Sequence, residues 1–252
     1  MRILLITIAI GENYLKRYNE LFRESHENYA KKNNYDFKVI TELLEKKYEY
    51  KEAISINKIL VCDQEWSYNY DIIIYVDADI LINSKSPSLH DYMNYKGKVG
   101  IVDEFNQPHK RLRMGEEAKK VGAWIKNPEE YYREYGFEIK TDKLLNTGVL
   151  VMEPREHGKM LREIFEKYVR RLKGSKRCFH IEQASIGYEL QVRNMFEIIP
   201  NEFNVVWALY KYYNKDLTLD RCVRCNYFIH FAGQCDIDKV LDLRDIWKKE
   251  SH

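Results

Sequence analysis

The sequence predicts an α/β protein with a mainly parallel central sheet flanked by helices, on three observations. Short, β-branched apolar runs recur along the chain, and the run Ile72–Val76, bounded by the polar Tyr68-Asn69-Tyr70-Asp71, has the composition of a strand buried on both faces. Segments with helical spacing separate the first runs, so strand, helix, strand, helix, strand follow one another, as parallel pairing with crossover connections requires. The chain has 252 residues, of which 45% are hydrophobic, enough to bury a core and too apolar for disorder. One domain over residues 1–252 is expected, interrupted by an irregular excursion at about 104–140.

The elements follow in order. Residues 2–10 form the first predicted strand. Tyr14, Leu15, Tyr18, Leu21, Phe22, Ser25 and Tyr29 fall on one helical face and predict one helix. Residues 35–40 alternate as a second strand, and Ala53, Ile54, Ile56, Ile59 and Leu60 mark a second helix. The strand ending in Asp77-Ala78-Asp79 comes next, then a short helix over 88–95 and a strand over 98–103. The polar stretch 104–140 carries helical segments near 115–125 and 128–135, and its place in the chain suits a lid or acceptor-binding segment. A strand over 144–152, helices over 156–173 and from about 180, strands near 195–199 and 227–232, and a helix over 236–249 complete the chain.

Composition excludes some classes. The 41 basic and 39 acidic residues nearly cancel, so no global field points to nucleic acid as a partner. The apolar start after Arg2 is eight residues long, too short to cross a bilayer, and no small-residue cleavage site follows it. The expectation is a cytoplasmic protein without a transmembrane segment, its five cysteines being thiols.

The chemistry centres on Asp77 and Asp79. Carboxylates set among isoleucines are costly unless a cation or a dense set of donors compensates. Residues i and i+2 of a strand point the same way, and at a strand end two such carboxylates can converge on one metal. Hard oxygen ligands suit Mn²⁺ or Mg²⁺, and such an ion with open positions is the usual partner of a nucleotide diphosphate. The plain alternative is a strand-end aspartate followed by a turn aspartate; the apolar Ile80-Leu81-Ile82 after the pair, in place of a polar loop, weighs for the metal.

In ligand-outside-the-strand-ends folds, Thr7 to Glu12 and Asp77 to Asp79 would lie at the same edge. The ordered set of an N-terminal strand with a polar turn, Asn57-Lys58, Tyr75-Val76-Asp77-Ala78-Asp79-Ile80, Leu145-Asn146-Thr147-Gly148-Val149, Ile181-Glu182-Gln183-Ala184 and Ile229-His230-Phe231-Ala232-Gly233 resembles nucleotide-sugar glycosyltransferases of the GT-A fold, especially families 8 and 34. The match spans nearly the whole chain. The resemblance implies a UDP-sugar donor, a hexose transferred to a hydroxyl acceptor, and retention of anomeric configuration; a glycan, lipid-linked, protein or small-molecule acceptor all stay open. It implies Asp77, Asp79 and His230 as metal ligands, and Asn146, Glu182 and Gln183 around the reacting sugar. It implies Lys58 near the donor phosphates or sugar, Thr7, Ala9 and Tyr14 on base and ribose, and Val76 and Ala78 beside the aspartates. Each has a structural alternative: His230 as a core histidine bonded to backbone, Glu182 as a first-turn helix acid, Asn146 as a turn residue, Lys58 as a solvated helix lysine. The sequence departs from family 8 after the histidine motif, where Gln234-Cys235-Asp236 stands in place of the usual run to a phosphate-binding lysine, so that lysine is either absent or replaced by Lys239.

Two rivals use other chemistry. Cys222, Cys225, His230 and Cys235 have the C-x2-C-x4-H-x4-C spacing of a zinc knuckle, which often grips single-stranded nucleic acid. Ile229 in place of the usual glycine, and the strand-like 226–229, count against it. Knuckle and transferase both claim His230 and exclude each other. A nucleotidyltransferase would also pair carboxylates on Mg²⁺, but the turn Thr7–Asn13 has one glycine and no basic residue to cradle a triphosphate.

Overall fold

The computed structural model describes residues 1–93, 97–108, 127–213 and 216–248. Its main sheet has six strands: β1 (Ile3–Ile8), β2 (Asp36–Ile40), β3 (Ile72–Val76), β5 (Val99–Asp103), β6 (Leu145–Met152) and β7 (Phe196–Ile198), in the order β2-β1-β3-β6-β5-β7. Pairs β1/β2, β1/β3 and β5/β7 are parallel; β6 runs against both its neighbours. Five strands therefore share one direction, as the mainly parallel expectation requires. A second sheet of three short strands, in the order β4 (Ile80–Ile82), β9 (Phe228–His230), β8 (Val205–Val206), stands beside it.

The apolar runs explain why these segments are strands. Along β1, Leu4, Ile6 and Ile8 enter one cluster while Ile3 and Leu5 enter another. The same division separates Ile73 and Tyr75 from Ile72, Ile74 and Val76 in β3. With period-two alternation this means that both faces of the sheet are covered. On the first face pack α4 (Pro154–Tyr168), α5 (Cys178–Val192) and a 3-10 run over Lys51–Asp63. Gly158 permits the close approach of α4 to that run: a Cβ there would lie 2.6 Å from the Cys62 carbonyl oxygen.

Several boundaries differ from expectation. The helix predicted from Tyr14 to Tyr29 is two helices, α1 (Glu12–Leu21) and α2 (Arg23–Lys32). The break is at buried Phe22, with φ −120°, whose carbonyl accepts from both the amide and the hydroxyl of Ser25. The helix marked by Ala53, Ile54, Ile56, Ile59 and Leu60 has 3-10 hydrogen bonding over Lys51–Asp63; of the one expected over 88–95, the described part is a 3-10 turn, Leu89–Tyr92, and 94–95 lie outside the described residues. The C-terminal helix 236–249 is also broken. Asp236 is left-handed (φ 55°), a 3-10 turn covers Ile237–Val240, and the last helix is Arg244–Lys248. Buried Ile237, Val240, Leu243 and Trp247 produce the helix-like spacing without a continuous helix. Helix α3 (Pro128–Glu134) matches the second helical part of the excursion; the part near 115–125 lies outside the described residues. Helices α6 (Trp207–Tyr213) and α7 (Leu219–Cys225) were not foreseen. No helix among the described residues is long and apolar enough to cross a membrane, and all five cysteines are free.

Candidate active site

Strand β3 ends at Val76, and its direction delivers Asp77 to the carboxyl edge of the parallel strands, where the amide of Asp77 donates to the Gly148 carbonyl at 2.8 Å. A tight turn follows, closed by the Ile80 amide on the Asp77 carbonyl at 3.2 Å, and it aims Asp79 at β9. There Ile80 is in register with His230. His230 Nε2 lies 3.3 Å from Asp79 Oδ1 and 3.8 Å from Asp77 Oδ2. One ligand atom from each of the three lies within 4.8 Å of the others, and no other such trio of histidine, cysteine or carboxylate atoms occurs among the described residues.

Two buried charges adjoin this trio. Lys58, on the 3-10 run 51–63, reaches Asp77 Oδ1 at 2.9 Å and the Thr147 carbonyl at 3.3 Å, with Glu182 Oε1 at 3.7 Å. It is 5% exposed, so it is not a solvated lysine. Burial alone would lower its pKa, but Asp77 and Glu182 hold it above the ordinary lysine value. Glu182 sits four residues into α5, beyond the first-turn position of a helix-capping acid, and it is 2% exposed. Its Oε1 has no hydrogen-bond partner among the described residues. Burial pushes the Glu182 carboxyl up to about 7, against the pull of Lys58. The His230 ring, despite its burial, is held above the ordinary histidine value by Asp79; Asp79, also opposed by burial, is held below the usual carboxylate range by His230.

Four residues not singled out from the sequence, Tyr75, Asn204, Glu104 and Tyr131, brace this site. The Tyr75 hydroxyl donates to Asp77 Oδ1 at 2.7 Å. Asn204 Oδ1 meets His230 Nδ1 at 3.0 Å, and Asn204 Nδ2 donates to Asn146 Oδ1 at 2.7 Å. Asn146 Nδ2 donates to Glu104 Oε2 at 2.7 Å; Gln183 Nε2 approaches the same oxygen at 3.3 Å and Tyr131 Oη at 3.4 Å. Asn146 is a strand residue, not a turn residue, and its amide is engaged on both sides. His230 is bonded to a side chain, not to backbone as in an ordinary core position.

The remaining predicted residues, Lys239 apart, lie at the same edge. Thr7 and Ala9 are buried at the end of β1, and Thr7 Oγ1 has no hydrogen-bond partner among the described residues. Val76 and Ala78 are buried on either side of Asp77. Tyr14 is 39% exposed at the start of α1; burial of its hydroxyl and the charges of Asp79 and Asp77 raise its pKa. Lys239 pairs with Asp236 at 3.0 Å, and Lys211 with the same carboxylate at 2.7 Å.

The zinc knuckle does not form. His230 faces the two aspartates, and the cysteines are not gathered around it. Cys222 lies in an apolar cluster, where burial raises its thiol to about 12, and its Sγ receives the Asn226 side-chain amide. A knuckle holds its zinc through cysteine thiolates gathered with the histidine. Strand β9 carries residues 228–230 through the space that a knuckle's tight turn would occupy.

No protein-family model and no curated protein matches the sequence. Solved structures do match the fold. One is a glycosyltransferase involved in the glycosylation of the major capsid of PBCV-1, similar at TM-score 0.60 and 13% identity over 96% of this chain and 98% of that one. Another is the bifunctional glycosyltransferase WbbM in its apo form, at TM-score 0.59 and 13% identity over 98% of this chain; the match spans half of the WbbM chain. The α/β architecture expected from the sequence is thus one that glycosyltransferases share.

Proposed function

We propose that this chain is a metal-dependent glycosyltransferase that moves a hexose from a UDP-sugar to a hydroxyl acceptor, with retention of anomeric configuration. The observation that carries the reading is the meeting of Asp77, Asp79 and His230 at the carboxyl edge of the sheet, next to a buried lysine and a buried glutamate. The similarity of fold to glycosyltransferases supports it.

The donor set fits a divalent ion. Two carboxylates and one imidazole, without thiolates, suit Mn²⁺ or Mg²⁺ and leave positions for phosphate oxygens. When bound, that ion neutralises the diphosphate and stabilises the charge developing on the leaving group. Asp77, Asp79 and His230 would hold it, with Tyr75 and Lys58 fixing the rotamer of Asp77. The Lys58 ammonium adds a positive charge on the donor side. Thr7, Ala9 and Tyr14 take the base and ribose. Glu182 faces the anomeric carbon, where an ionised carboxylate stabilises an oxocarbenium-like transition state, or attacks that carbon as its bond to UDP breaks, the acceptor hydroxyl later displacing the carboxylate. Gln183 and the braced Asn146 fix the sugar's orientation. Retention rests on the resemblance to families 8 and 34.

The test is thermal unfolding of metal-stripped protein with UDP, with and without Mn²⁺. Binding to the native state raises the midpoint by mass action. A rise that needs both UDP and Mn²⁺ is expected. Stability that is lost on chelation and restored by Zn²⁺ alone, with no effect of UDP, would overturn the proposal.

A further inference from the structure

We propose that Asn204 is a positioning residue for the metal ligand His230: its carboxamide fixes the ring as the Nδ1–H tautomer and ties it, through Asn146, to the Glu104–Gln183 side of the site. The consequence for metal binding rests on the transferase reading; the tautomer does not.

The assignment follows from a hydrogen-bond chain whose direction is set at its far end. The Gly148 amide is an unambiguous donor, and it points at Asn146 Oδ1 at 2.9 Å. A Glu104 oxygen, which accepts, faces Asn146 Nδ2 at 2.7 Å. Both contacts place the Asn146 oxygen toward Asn204. The Asn204 group facing it is therefore the Nδ2 donor, at 2.7 Å. That leaves Asn204 Oδ1 toward His230 Nδ1 at 3.0 Å, so Nδ1 must donate. Turning the Asn204 amide over would set two acceptors face to face at Asn146 and oppose an N–H to the ring nitrogen.

Asn204 has little freedom to depart from this. It is fully buried. Its carbonyl accepts from Gln107 Nε2 at 2.8 Å, and its amide donates to the Asn201 carbonyl at 3.0 Å. The ring is equally confined, since a Cβ on Gly148 would lie 2.5 Å from His230 Cε1 and 2.7 Å from Nδ1. With its proton kept on Nδ1, the ring offers the Nε2 lone pair between Asp77 and Asp79, as a metal ligand must. The same chain makes the ligand's orientation depend on Asn146 and on Glu104, whose carboxylate Gln183 also contacts.

The test reads the tautomer directly. Long-range ¹H–¹⁵N correlation spectra of labelled, metal-free protein are recorded at alkaline pH, where the ring is neutral, and His230→Gln identifies its signals. The wild type is expected to carry Nδ1–H. Asn204→Leu, which offers no acceptor, is expected to move the proton to Nε2, and to weaken Mn²⁺ binding in the presence of UDP about 10–100-fold by titration calorimetry. Asn204→Asp, which keeps an acceptor for Nδ1–H, is expected to keep the wild-type tautomer. A wild-type ring protonated on Nε2, or an unchanged tautomer in Asn204→Leu, would overturn the inference; should the leucine variant not fold, the wild-type spectrum decides. Nδ1–H in the wild type with no Mn²⁺-dependent UDP binding would instead refute the transferase reading and leave the tautomer assignment standing.

Discussion

Replacing Glu182 by glutamine separates the energetic cost of that residue from its use. The Glu182 carboxyl is buried, and its pKa stands at about 7, against an ordinary value of 4.5. Between those two values the folded protein holds a proton that the unfolded chain has released. Stability contributed by this position is therefore highest below the lower value, falls as pH rises through the window, and reaches its minimum above about 7. The gap is worth about 3 kcal/mol. Glu182→Gln removes it, because the amide has no charge to desolvate. In urea denaturation of metal-free protein, the variant should exceed the wild type by about 3 kcal/mol at about pH 8, and by less than about 1 kcal/mol at about pH 5. The same variant should lose transfer activity. An equal increment at both pH values, or a variant less stable than wild type at the higher one, would refute the assignment of a buried, ionisable and costly carboxylate.

Three further outcomes are expected. Asp79→Asn should abolish the joint effect of UDP and Mn²⁺ on the unfolding midpoint while leaving the far-ultraviolet circular dichroism unchanged; a retained effect would remove Asp79 from the ligand set. Combining Cys222→Ala, Cys225→Ser and Cys235→Ser should leave Mn²⁺-dependent UDP binding as it is, since those thiols do not gather at His230; lost binding would reopen the knuckle. Gly158→Ala should destabilise by about 1–3 kcal/mol in urea, because the new methyl meets the Cys62 carbonyl, although alanine is elsewhere the better helix residue; a stabilised variant would refute the close packing of α4 there.

Where the sequence was legible, and where it was not, follows from how local the physics is. The run Ile72–Val76 and the pair Asp77/Asp79 were readable because a doubly covered strand needs an unbroken apolar stretch, and because carboxylates at its end break the pattern. His230 was readable only with the rest of the resembling set, since a buried histidine alone has many uses. Asn204 and Glu104 left no trace. Their roles come from distant partners, 26 and 42 residues away, and no spacing encodes that. The broken helices failed for the opposite reason. Ile237, Val240, Leu243 and Trp247 all face the core, yet Asp236 is drawn into a left-handed turn by Trp207, Lys211 and Lys239, which periodicity does not register.

The three acidic and imidazole groups also do not belong to one sheet. Asp77 terminates β3 of the large sheet, whereas Asp79 leads into β4 and His230 ends β9, both of the small one. An ion gripped by all three would act as a rivet across that seam. Letting go of the ion and separating the small sheet from the large one would then be a single local opening. Amides of β4 and β9 should accordingly gain protection from hydrogen exchange as ion and UDP are added, while those of the edge strand β2 should not.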